Sequence, residues 1–190
     1  MSALPTVYLA RHGETEWSRS GQHTGRTDLP LLPAGVESAK LLAPRLAVIP
    51  FTRVLSSPLS RAKHTAELAG FTPELDPDLL EWNYGDYEGL KSVEIAAKNP
   101  GWNLFRHGAP GGESPAQVIE RVDQLVVRLK AMTGNVLCFA HGHILRVIAV
   151  RWIDQSLTLG TCMLLGTATI SALSFNHNRI EEPAIKVWNS

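Results

Sequence analysis

Short apolar runs alternate along the chain with stretches whose apolar positions recur every three or four residues. Residues 6–10 (TVYLA), 53–57 (RVLSS) and 135–140 (NVLCFA) lack clean polar alternation, the pattern of central strands buried on both faces. Helical patterns fall between them. From residue 34, Val36, Ala39, Leu41, Leu42 and Leu46 build one apolar side, as an amphipathic helix requires. Pro44 kinks or divides that helix, because proline removes an amide donor and crowds the preceding turn. Pro58 ends the second strand, and SRAKHTAEL at 60–68 follows as a helix with Ser60 at the capping position. A further helix over 90–98 stops at Asn99 and Pro100. A Pro and Gly cluster at 108–112 leads to Ser114, placed to cap QVIERVDQLVVRLKAM. Val118, Val122, Leu125, Val126 and Leu129 form the apolar face of that helix.

Residues 144–152 (ILRVIAVRW) read as a helix, although their Val and Ile content also permits a strand. TCMLLGTATISALSF at 161–175 resembles a pair of strands around Gly166 or Thr167, and AIKVW at 184–188 adds an edge strand. Residues 18–33, with Gly21, Gly25, Pro30 and Pro33, form a polar surface loop of the kind that carries binding groups on a rigid scaffold. No linker, tandem repeat or low-complexity tract interrupts the pattern.

Buried strands alternating with amphipathic helices specify an α/β chain. The expectation is one domain over residues 1–190: a three-layer α/β/α sandwich with a mostly parallel central sheet and helices on both faces. Loops leaving the carboxyl ends of the first and third strands begin at Arg11 and His12, and at His141 and Gly142. Open α/β sheets bind ligands at that edge.

Composition narrows the partners. Eighteen Lys plus Arg balance eighteen Asp plus Glu over 190 residues, and the arginines are scattered. That is not the concentrated basic patch a nucleic acid requires. The apolar runs fall short of the roughly 20 residues needed to cross a bilayer, and MSALPTVYLARHGE lacks the features of a secretory signal. A cytoplasmic location is therefore expected. Cys138 and Cys162, the two cysteines, both sit in apolar runs and are expected to be free thiols, buried like small hydrophobes.

The candidate chemistry lies at the strand ends. Arg11 and His12 follow the first strand, Arg61 opens the helix after the second, and His141 follows the third. Arginine presents planar N–H donors to phosphate oxygens and stays charged. Such donors hold the charge that develops on the equatorial oxygens as phosphorus is attacked. A neutral imidazole can act as the nucleophile, and a carboxyl group can then protonate the leaving oxygen. Glu81 suits that task, but so do Asp78, Asp86 and Glu88. Each histidine could instead be a loop residue bonded to backbone. No HExxH, CxxC pair or spaced aspartate cluster is present, so neither a metal nor another cofactor is expected.

Six motifs occur in order: RHGETEW at 11–17, HTGRTDLPLLPAG at 23–35, SSPLSRAKHTA at 56–66, EWNYGDYEG at 81–89, GGES at 111–114 and AHGHILR at 140–146. In these the chain resembles the histidine phosphatase, or phosphoglycerate mutase-like, superfamily over nearly its whole length. The resemblance implies that His12 is phosphorylated during turnover and that His141 binds phosphate and supports the transferring group. It makes Arg11 and Arg61 the phosphate clamps and Glu81 the proton donor, and leaves Glu88 a structural role. It also directs Gly142, Ser18, Thr24 and Gly25 toward phosphate or substrate. Ser18 departs from the asparagine most common there, and its shorter hydroxyl reaches less far.

His23, Trp82, Tyr84, Trp102, His107 and His143 are candidates for a substrate rim, with Phe105 beside them. Trp102 and Phe105 could equally form a small satellite core. The motif set most resembles small phosphatases, some of them acid phosphatases and some acting on sugar bisphosphates such as sedoheptulose bisphosphate. A phosphatase of a small phosphorylated metabolite is thus implied, with an acidic pH preference or sugar-bisphosphate specificity as refinements. A cofactor-dependent phosphoglycerate mutase using the same histidine is the alternative. The terminal KVW edge leaves a homodimer open.

Overall fold

The computed structural model describes residues 4–190. Six strands form one sheet: β1 (Thr6–Arg11), β2 (Phe51–Ser56), β3 (Glu74–Leu75), β4 (Asn135–Ala140), β5 (Ile170–Phe175) and β6 (Pro183–Val187). Their order is β3-β2-β4-β1-β5-β6. β1, β2, β3 and β4 run parallel to one another, while β5 is antiparallel to both β1 and β6. The sheet is therefore mostly parallel, with helices on both faces.

β4 shows why its sequence had no polar alternation. Val136, Cys138 and Ala140 join the core on one face, while Leu137 and Phe139 join the core on the other. All five are fully buried, and a buried side chain as large as Phe139 contributes roughly 1.5–3 kcal/mol. The first core is closed by α7 (Pro115–Lys130) through Val118, Val122, Leu125, Val126 and Leu129, and by α8 (Gly142–Trp152). The second is closed by Leu42 and Leu46 of the helix Leu42–Leu46 and by Ala66 of the helix Ser60–Leu68.

In chain order the remaining helices are α1 (Glu16–Ser20), α2 (Pro33–Lys40), α3 (Leu42–Leu46), α4 (Ser60–Leu68), α5 (Ser92–Lys98) and α6 (Leu104–His107). The helix expected from residue 34 is divided into α2 and α3, with the break at Leu41. Ser114 caps α7 through a reciprocal box with Gln117.

Four expectations need correction. Ser60 is not the cap of α4: Leu59 holds that position without a side-chain bond, while Asp28 accepts from the backbone and hydroxyl of Ser60. Residues 161–175 are not two strands. Both edges of β5 are taken, by β1 and β6, so the segment before it has no edge to pair with. That segment instead holds a short 3-10 turn over Leu157–Cys162, and loop carbonyls and amides that meet the end of β1. Cys162 is consequently exposed, whereas Cys138 is buried; both are free. Finally, the surface loop expected over 18–33 begins inside α1, and the two-residue strand β3 and the four-residue α6 had no sequence signal.

Among the described residues, no helix is long and apolar enough to cross a membrane.

Candidate active site

Register brings the two strand ends together. Arg11 stands opposite Ala140 across the β1–β4 pair, and the His12 amide donates to the Ala140 carbonyl at 3.0 Å. The His12 and His141 rings thus lie 5.1 Å apart. Beside them is a cavity of about 350 Å³ whose wall includes Arg11, His12, Glu81, Gly142 and Arg146.

His12 is buried, and its Nδ1 lies 2.7 Å from the Gly13 carbonyl. A carbonyl only accepts, so Nδ1 carries the proton and Nε2 keeps its lone pair. Burial holds the imidazole well below its ordinary pKa of 6.5, and the charges of Arg11 and Arg61 push the same way. The resulting neutral ring is fixed from behind. Thr65 Oγ1 accepts the Gly13 amide at 3.0 Å and donates to the Arg61 carbonyl at 2.7 Å. Gly13 must be glycine because an added Cβ would sit 2.4 Å from the Gly35 carbonyl oxygen.

His141 is fully buried and its pKa is also well below ordinary, through burial and then the charge of Arg61. Arg61 Nε donates to its Nδ1 at 3.1 Å. Because arginine only donates, Nδ1 is the acceptor and Nε2 carries the proton, 2.8 Å from Ser57 Oγ. His141 Nε2–H therefore donates to Ser57 Oγ, which leaves the Ser57 hydroxyl proton to donate onward; Ser57 follows β2 and His141 follows β4.

The two arginines differ. Arg11 Nη1 donates to the Leu165 carbonyl, but its buried Nε has no hydrogen-bond partner. Its guanidinium lies against Gly142, where an added Cβ would come within 3.3 Å of Cζ. A buried N–H without an acceptor is costly. Arg61, by contrast, is fully buried and four of its five N–H donors are taken, one of them by His141. Nη1 reaches the Thr27 carbonyl and Nη2 those of Thr24 and Gly25. Like His141 and Ser57, it lies outside the residues that line the cavity.

Glu81 is buried beneath the start of α8. Oε1 accepts from the Trp82 and Ile144 amides at 2.9 and 2.8 Å, and Oε2 from the His143 amide at 2.9 Å. Oε2 has the spare capacity and is the oxygen able to exchange a proton with a ligand.

The other expected residues divide. Ser18 and Thr24 line the cavity, but the Ser18 hydroxyl is tied into the capping box of α1 with Thr15. Gly25 lies behind the wall, its amide donating to Glu88 and its carbonyl accepting from Arg61. Glu88 anchors the Gly25–Thr27 turn by accepting three backbone amides.

His23, Tyr84 and His143 form one wall of the cavity. The Tyr84 hydroxyl meets His143 Nδ1, and the His23 ring lies 4.7 Å from that of Tyr84. Burial brings His23 down to about 4 and takes His143 well below its ordinary value, so both are neutral.

Two rim assignments are wrong, and a third shifts. Trp82 is fully buried in the core with its indole N–H on the Glu113 carbonyl. His107 is exposed, and its ring accepts the Asn103 amide to cap its own short helix. Trp102 bonds the Gly108 carbonyl and lines a neighbouring chamber instead. Sequence reasoning missed Ser57, Gln22 and Arg146. Arg146 was available to it: it lies one helical turn beyond Gly142 in AHGHILR, on the same face of α8.

A profile of the Histidine phosphatase superfamily (branch 1) matches residues 7–190. The chain is 40% identical over 176 residues to an acid phosphatase of Mycobacterium tuberculosis (strain ATCC 25618 / H37Rv), covering 90% of this chain and 87% of the relative. It is 30% identical to the sedoheptulose 1,7-bisphosphatase of Saccharomyces cerevisiae (strain ATCC 204508 / S288c), covering 98% and 93%. A solved structure of an M. tuberculosis open-reading-frame product superimposes with a TM-score of 0.92 at 38% identity, covering 97% and 96% of the two chains.

Proposed function

This chain belongs to the histidine phosphatase superfamily as a phosphatase of small phosphomonoesters, and we propose that it works through a phosphohistidine on His12. The observation that carries the reading is the His12 Nδ1 bond to the Gly13 carbonyl, which leaves Nε2 unprotonated and available.

In the first step Nε2 attacks phosphorus and the bond to the ester oxygen breaks. Arg11 Nε–H, the buried donor without a partner, takes one equatorial oxygen, and the Ser57 hydroxyl, oriented by the His141 Nε2–H it accepts, takes another. The departing alkoxide receives a proton from Glu81 Oε2. In the second step the Glu81 carboxylate removes a proton from water, the hydroxide attacks phosphorus, and the bond to Nε2 breaks to release phosphate and neutral His12. Arg61 acts as a positioning residue: it sets the His141 tautomer and adds positive charge from beneath, while its N–H groups hold the Thr24–Thr27 turn.

The relatives named as an acid phosphatase and a sugar bisphosphatase support hydrolysis of small metabolites as the net reaction. The test is a millisecond-quench experiment in alkali, where a phosphoramidate survives, followed by peptide mapping and phosphate assay. Expected are label on the His12 peptide, none in His12→Ala, and phosphate appearing in water. Label passed chiefly to an added phosphoglycerate would replace the phosphatase reading with the mutase one. No label during active turnover would overturn the covalent route.

A further inference from the structure

The cavity wall carries more positive charge than one phosphate clamp needs. Arg11 and Arg146 line it, Arg61 lies beneath, and Glu81 is the one carboxylate among the lining residues. Arg146 is half-buried on α8. Its Nε donates to the Gly142 carbonyl at 3.1 Å, its Nη1 reaches the Gly160 carbonyl at 3.4 Å, and its Nη2 donates to no protein group among the described residues. The guanidinium stacks over Phe105, 5.3 Å from the ring centre, which fixes its plane.

Two other half-buried arginines outside the cavity have an acid. Arg121 meets Glu113 at 2.9 Å, and Arg151 meets Asp123 at 2.7 Å. Among the described residues, no carboxylate comes within 4.0 Å of Arg146, while its neighbours His23 and His143 are neutral. The one carboxylate acting on its charge is Glu81, behind the weaker acid Tyr84, and the Glu81 oxygens are tied to three amides. A partly desolvated cation without a counter-charge is costly. A ligand anion removes that cost.

Position specifies the ligand further. Arg11 packs against the Cα of Gly142 and Arg146 holds its carbonyl, so the two guanidinium groups flank one residue. Arg146 also borders a second chamber of about 360 Å³ that shares His23, Ser92 and His143 with the first. The alcohol half of a substrate therefore has room to extend past Arg146.

We infer that Arg146 is a second anion-binding residue, and that the substrate is a phosphomonoester whose alcohol carries another anionic group, a carboxylate or a phosphate, a few bonds from the ester oxygen. This rests on the phosphatase reading of the same cavity.

Two matched pairs test it by phosphate release: 3-phosphoglycerate against glycerol 3-phosphate for a carboxylate, and fructose 1,6-bisphosphate against fructose 6-phosphate for a phosphate. In at least one pair the doubly anionic member should have a kcat/KM about tenfold or more higher, since a desolvated charge pair exceeds that in binding energy. In Arg146→Gln the ratio should fall toward one, chiefly through KM, and Arg146→Lys should restore part of it. Equal kcat/KM within both pairs for the wild type, or an unchanged ratio in a folded Arg146→Gln, would overturn the inference. If neither variant folds, the wild-type ratios alone decide. Turnover of p-nitrophenyl phosphate with no preference in either pair would remove the subsite and leave the chemistry standing; no release from any ester would remove both.

Discussion

Replacing Glu81 by glutamine separates the proton from the rest of the carboxylate's work. Glu81 accepts three amides, two on Oε1 and one on Oε2. Glutamine can keep its carbonyl oxygen against Trp82 and Ile144, but its NH2 then faces the His143 amide, donor to donor. One buried amide left without an acceptor costs about 1–3 kcal/mol, so the variant should unfold at lower denaturant concentration while keeping its fold. The kinetic consequence depends on the leaving group. An alkyl phosphate needs its oxygen protonated as the P–O bond breaks, and losing that proton should lower kcat/KM by about 10²–10⁴. p-Nitrophenolate leaves without help, so the same variant should lose less than about tenfold on p-nitrophenyl phosphate. Steady-state kinetics over esters of graded leaving-group pKa measures the difference as a slope. Any general damage to binding or packing lowers every ester alike and cancels in the comparison. An equal loss across the series would refute the acid role of Glu81, whatever its effect on stability.

Further outcomes follow from the buried polar groups. His12, His23, His141 and His143 are all held neutral by burial. Below the unfolded value of 6.5 the unfolded chain binds more protons than the folded one, so stability must fall as pH falls from there toward the folded values. For His23, depressed to about 4, this amounts to about 3 kcal/mol between those limits; urea titrations from pH 7 to 4 should show it, and His23→Asn should flatten the dependence. Arg61→Lys keeps a charge but cannot bond His141 and three carbonyls at once, so it should cost about 2–4 kcal/mol and lower kcat more than KM; stability within about 0.5 kcal/mol of wild type would contradict the positioning role. Gly13→Ala forces a Cβ to within 2.4 Å of a backbone oxygen and should lose about 1–3 kcal/mol or more in a thermal or chemical melt.

Strand and helix patterns were readable wherever burial repeats along an element. The apolar face of α7 and the two-sided burial of β4 follow from such repetition. Residues 161–169 were misread because β propensity says nothing about whether a neighbouring edge is free, and β5 has none to offer. At the site, residue types were legible but donor directions were not. Arg61 reads as a phosphate ligand in sequence, yet its N–H groups turn to backbone carbonyls contributed from 34 to 37 positions away. Trp82 and Tyr84, two residues apart, illustrate the same limit: Trp82 packs in the core and Tyr84 faces the cavity, a distinction made by distant contacts with Glu113 and His143. Arg146 stood in plain view within AHGHILR, but only the absence of an acid beside it gives it significance.

The central claim is that His12 is neutral, protonated on Nδ1 and phosphorylated on Nε2. Long-range ¹H–¹⁵N spectra of enzyme labelled at histidine, assigned with His12→Ala, read both nitrogens directly, and ³¹P–¹⁵N coupling in the quenched intermediate identifies the one that takes the phosphoryl group. The account requires a pyridine-like Nε2 on the free enzyme near pH 6 and coupling of phosphorus to that nitrogen. An imidazolium at that pH, or phosphorus bonded to Nδ1, would contradict it.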